Sequence, residues 1–139
     1  MKFYLDENFP PDLVHPLRRI YSEHEFAAWT EEGLASTLDL DLFPELVSRG
    51  FDAIITRDRQ QLKNPEERSA LLDAGLRWVG LRDTKLGGLA MISITAASLI
   101  AGLRFVINHE VETVEYSYLI NNVPHEARQR LRIFELQRT

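Results

Sequence analysis

The chain has 139 residues, 45% of them apolar, which is enough for one domain with a real core and too little for two. It contains no cysteine, which excludes a disulfide framework, thiolate metal sites and a cysteine nucleophile, and fits a reducing compartment. The net charge of −5 excludes a molecule that is basic as a whole, so any grip on a phosphate backbone must come from a local patch or from bound cations.

The apolar stretch in Met1 to Asp6 is far too short for a signal peptide, and a cytoplasmic protein is expected. Lys2 to Leu5 reads as a buried strand ending at Asp6, with Pro10-Pro11 closing the turn behind it. From Asp12 a helix is expected with Leu13, Val14, Leu17 and Ile20 on one face, weakened in its middle by Pro16. Glu25 to Trp29 is a second, shorter strand. Thr30 to Leu38 reads as a loop around Gly33, with Ser36 or Thr37 capping a helix that carries Leu38, Leu42, Leu46 and Val47. Pro44 is tolerable only in the first turn of that helix, and Gly50 stops it.

Phe51 to Thr56 is the clearest strand in the chain, and it runs into Arg57-Asp58. After a polar loop, Asn64-Pro65-Glu66-Glu67 begins a helix, with Asn at the cap and Pro at the first position, and Gly75 ends it. Leu76 to Leu81 is the next strand, followed by Arg82-Asp83. A helix is expected from about Lys85 to Val106. Its stretch Leu86 to Leu103 carries no charge, which is the pattern of a membrane span. Its glycines, serines and small apolar side chains favour a buried helix of a soluble core, with no membrane partner. Val111 to Ile120 and Arg132 to Leu136, separated by Asn121-Asn122-Val123-Pro124, read as an antiparallel hairpin or an edge extension.

Strand and helix in alternation predict an α/β fold, a mainly parallel sheet flanked by helices, as one domain over 1–139. Ligands in such folds sit at the carboxyl ends of the strands. Two strands end in aspartates there, Asp6 and Asp58. Asp39 begins the intervening helix on the same side. Three carboxylates brought together repel one another unless protons or a cation neutralise them. An all-oxygen set points to Mg2+ or Mn2+, which can activate water against a phosphodiester. Asn8 and Arg57 lie close by in sequence and are candidates to position the phosphate. Taken singly, each aspartate is equally a turn or helix cap.

The opening Lys2-Phe3-Tyr4-Leu5-Asp6-Glu7-Asn8-Phe9-Pro10-Pro11 resembles the start of PIN-like domains. Ile55-Thr56-Arg57-Asp58-Arg59, followed by Asn64-Pro65-Glu66-Glu67-Arg68, resembles the branch that includes VapC-type toxins of toxin–antitoxin pairs, and Asp39 falls where that branch carries its middle acid. The resemblance covers about 1–81 and leaves 111–139 as a C-terminal extension. It implies a PIN-type fold and a metal-dependent ribonuclease, with a cognate antitoxin protein as partner and RNA as substrate. It implies Asp6, Asp39 and Asp58 as catalytic metal ligands, and Asn8, Thr56 and Arg57 as supporting, substrate-binding groups. Many PIN domains place a further acid just after the third, where this chain reads Arg59-Gln60-Gln61. Asp41 and Asp83 are candidate substitutes, and a catalytically inactive PIN-like module that binds RNA or protein is the alternative reading.

The four histidines (His15, His24, His109, His125) lack metal-ligand spacing, and no nucleotide-binding or serine-hydrolase motif occurs. Arg128, Arg130, Arg132 and Arg138 make the C-terminus locally basic, as RNA contacts or as a solvated surface. Tyr116 and Tyr118 share one strand face and favour packing or a subunit contact. The apolar tail, from Val111 to Ile120, favours a homodimer.

Overall fold

The structure is a computed structural model that describes residues 1–109 and 116–138. β1 (Lys2–Leu5) is buried at Phe3, Tyr4 and Leu5 alike, the pattern of a strand covered on both faces. A 3-10 turn at Pro11–Leu13 places its proline where no helical N–H is needed and leads into α1 (Val14–Ile20). Leu13, Val14 and Leu17 are buried, while Ile20 is exposed. After β2 (Glu25–Ala28), the expected loop contains one helical turn, α2 (Trp29–Glu32), closed by Gly33 in the left-handed region (φ 66°).

α3 (Asp39–Ser48) differs from its sequence reading in two ways. Its N-cap is Leu38, with no side-chain capping bond, so neither Ser36 nor Thr37 caps it. Pro44 lies inside the helix rather than in its first turn. Pro44 is on the solvent side, where water can satisfy the carbonyl that its missing N–H leaves free. Leu42, Phe43 and Leu46 form the buried face, and Leu38 and Val47 fall outside it.

β3 (Ala53–Thr56) is buried at every position. The polar loop behind it holds a short turn, α4 (Gln60–Lys63), and then α5 (Pro65–Ala74) begins as its sequence dictates. The Asn64 side chain accepts from Glu66 N and Glu67 N at 2.9 and 3.2 Å. β4 (Arg77–Leu81) precedes the 21-residue α6 (Gly88–Asn108). β5 (Ser117–Ile120) and a short α7 (Ala127–Arg130) follow.

The strands form one sheet in the order β2-β1-β3-β4-β5, and every pairing is parallel. One face carries Phe3, Leu5, Ile55, Val79 and Leu81 against α1 and α6. The other carries Tyr4, Ile54 and Trp78 against α3 and α5. The chain winds outward from β1 to β2 on one side and to β3 on the other. The crevice where the order reverses therefore opens between the carboxyl ends of β1 and β3.

Two further expectations need correction. α6 is not buried all round: Thr95, Ser98, Leu99, Leu103 and Val106 are buried, but Leu89, Ile92 and Phe105 face outward. It is long and apolar enough to cross a membrane, yet here it links two neighbouring strands and covers one face of their sheet. The C-terminal segment is an edge extension rather than an antiparallel hairpin. β5 adds to β4 in parallel, Val79 opposite Tyr118, and residues 132–136 form no strand. Parallel pairing follows because α6 carries the chain back across the sheet before β5 begins. Val111 and Val114 lie outside the described residues.

Candidate active site

Asp6 is the first residue beyond β1, and its N–H still donates to Ile55 O at 3.2 Å. That bond holds the aspartate against the end of β3. Its carboxylate is 6% exposed and turns back on the chain: Oδ1 accepts from Asn8 N at 3.0 Å and Oδ2 from Asn8 Nδ2 at 3.1 Å. Burial pushes its pKa up to about 6, against the pull of hydrogen bonds from Thr56 and Asn8, and nearby Asp39 raises it further.

Thr56, the last residue of β3, is fully buried, so it acts on the acids rather than on a ligand. Its Oγ1 accepts from Asp58 N at 2.9 Å, and its hydroxyl hydrogen bonds to Asp6. One side chain thus ties the acid after β1 to the acid after β3. Asp58 Oδ1 accepts from Gln60 N at 3.0 Å, a local turn contact that leaves its second oxygen without a local partner.

Asp39 stands in the first turn of α3, where the helix dipole favours a carboxylate. Burial raises its pKa, and so do Asp58 and Glu7, while hydrogen bonds from Glu67 and Gln61 oppose them. Glu67, in the first turn of α5, is pushed up to about 7 by burial and by its contact with Asp39. Each carboxyl thus makes the other harder or easier to ionise, and the pair titrates together.

Asp6, Glu7, Asn8, Asp39, Asp58 and Gln61 line one pocket of about 140 Å3, completed by Tyr4, Leu34, Thr37 and Leu42. Among the described residues no cationic side chain belongs to that lining, although Arg57 is near enough to feel the Asp6 charge. Arg57, adjacent to Asp58 in sequence, is turned away: its guanidinium donates to Thr95 Oγ1 and Met91 Sδ on α6 and lies 5.5 Å from the Phe9 ring. The structure therefore gathers all three expected aspartates and Asn8, and sends Arg57 elsewhere. Neither Asp41 nor Asp83 joins them. Glu67, outside that lining, sets a further carboxyl against Asp39, which the sequence reading missed because it read Asn64 to Glu67 as a helix start and as part of the resemblance.

A sequence profile for the family described as "PIN like domain" matches residues 1–83. The chain belongs to the PIN-like domain family. The match ends two residues beyond β4, so α6, β5 and the tail lie outside it. Comparison with curated proteins and with solved structures gave no significant match. Membership marks the PIN-like domain as a nuclease-type module, and PIN domains are generally divalent-metal-dependent nucleases.

The donors of this PIN-like domain suit such a metal in kind: carboxylate oxygens in a polar pocket, with no sulfur or imidazole. Among the described residues, however, no three acidic or histidine side chains stand close enough to form a ready-made metal centre. Asp39 interacts with Glu67 and Gln61 as well as with Asp58 and Glu7.

Proposed function

We propose that this chain is a metal-dependent endoribonuclease and the VapC-like toxin of a toxin–antitoxin pair. The observation that carries this reading is the pocket at the β1/β3 crevice, where acids from separate segments meet and no cationic side chain among the described residues lines them. An RNA phosphate entering it meets an acidic lining, so productive binding would depend on a divalent cation. Asp6, Asp39 and Asp58 would hold Mg2+ or Mn2+, which supplies an activated water and neutralises charge on the phosphodiester. Asn8 and Thr56 keep the Asp6 carboxylate aimed into the pocket. The test is cleavage of single-stranded RNA with Mg2+ or Mn2+ and with EDTA, comparing the natural chain with Asp6→Asn. Metal-dependent cleavage lost in Asp6→Asn supports the reading.

A second reading is a PIN-like module that binds RNA or protein without cutting. The spread of the acids favours it, because no three of them form a preformed cluster among the described residues. RNA binding without cleavage under either metal would establish it. The cognate antitoxin and a homodimer belong to the first reading. A small antitoxin gene beside this one would support the former.

A further inference from the structure

We propose that Gln61 is a positioning residue that holds Asp39 at its place in the acid cluster, anchored in turn by Trp78. This rests on the reading of Asp39 as a metal ligand. The anchor begins at Gly80. A Cβ there would stand 2.1 Å from Trp78 Cη2 and 2.4 Å from Cζ3, so the indole lies flat over the Gly80 backbone. Trp78 and Gly80 share one face of β4, and only a residue without a side chain lets the ring lie along the strand. The ring then reaches α4, where Trp78 Nε1 donates to Gln61 Oε1 at 3.1 Å inside the core.

That bond decides which way the amide points. An indole N–H can only donate, so Gln61 must offer it the oxygen, and the NH2 group faces the other way. Gln61 is 1% exposed, and it lines the pocket it shares with Asp6, Asp39 and Asp58. A neutral donor therefore stands beside Asp39 at the place in the chain where many PIN domains carry another acid. It restrains Asp39 without adding a charge, while Glu67 approaches from α5. Positioning partners of this kind commonly change metal affinity by roughly 10- to 100-fold.

The test uses the full chain with 15N in its two tryptophans, Trp29 and Trp78. In metal-free protein, Asp39→Ala shifts the Trp78 indole resonance, and the same change made in a Gln61→Met background leaves that resonance in place. Mn2+ affinity, read from the paramagnetic signal of the free ion, falls about 10-fold in Gln61→Met and in Trp78→Phe. An indole shift that ignores Gln61 overturns the proposal, as does Mn2+ affinity unchanged in both variants. If the natural chain takes up no Mn2+, the metal reading fails, and the metal-free spectra alone decide for or against Gln61.

Discussion

Asp6 shows how much a single buried carboxylate can cost a fold. Its pKa is about 6 when folded and near ~4 in an unfolded chain, so the folded state binds the extra proton between those values. The stabilisation is fully present below ~4 and is lost as pH rises through about 6, a change on the order of 3 kcal/mol. Metal-free protein in EDTA is therefore expected to resist urea better at pH 4.5 than at pH 7.5, and Asp6→Asn to flatten that dependence. Equal pH dependence in the two would mean Asp6 is already relieved by its hydrogen bonds to Asn8 and Thr56. The three aspartates were legible in the sequence because each sits where a strand ends or a helix begins. Glu67 and Gln61 were not, since their roles depend on how α4 and α5 fold back over the pocket. The contact of Arg57 with Thr95 was not legible either, since its place beside Asp58 in sequence does not say which way its side chain turns.

Among the elements, α6 and β5 were read with least success. The glycines, serines and small apolar side chains from Leu86 to Leu103 favoured a buried helix, but composition does not distinguish a wrapped helix from one packed on a single face. The glycines carry a finer signal. A Cβ at Gly102 would stand 2.6 Å from Ile120 Cγ2, so this glycine lets α6 pack closely on β5. Ile120 is branched at Cβ, and its Cγ2 methyl cannot swing aside cheaply. Gly102→Ala is expected to destabilise the protein by about 1–3 kcal/mol in chemical denaturation, through overpacking. Unchanged stability would show that β5 can shift outward without loss. By contrast, the Asn64-Pro65 start and the Gly75 end of α5 were fully legible, because capping chemistry is local.

At the scale of the whole molecule, the profile match and the described fold part company after residue 83. β5 completes the sheet at its edge, and beyond it Leu131, Ile133, Phe134 and Leu136 are 61 to 100% exposed along an extended tail. Beside β5, a groove of about 750 Å3 runs against α6, lined in part by Phe105, Val106, Leu119 and Ile120. An apolar tail and an apolar groove on one chain favour the proposed homodimer, each tail serving the other copy. Light scattering should give a dimer for the full chain and a monomer for a version ending at His125, which keeps β5. A monomer in both cases would contradict this. The groove lies at the β5 edge of the sheet and the crevice lies between β1 and β3, so the central claim can be tested on its own. The most direct measurement is the cleavage rate of single-stranded RNA by the natural chain and by Asp58→Asn, with Mg2+ and with EDTA. Asn can keep the Oδ1 contact to Gln60 N, so the fold should persist in this variant, judged by its melting curve. Cleavage that needs Mg2+ and falls by roughly 10²-fold or more in Asp58→Asn is the result expected. Undiminished cleavage by a folded Asp58→Asn, or cleavage that continues in EDTA, would contradict the account.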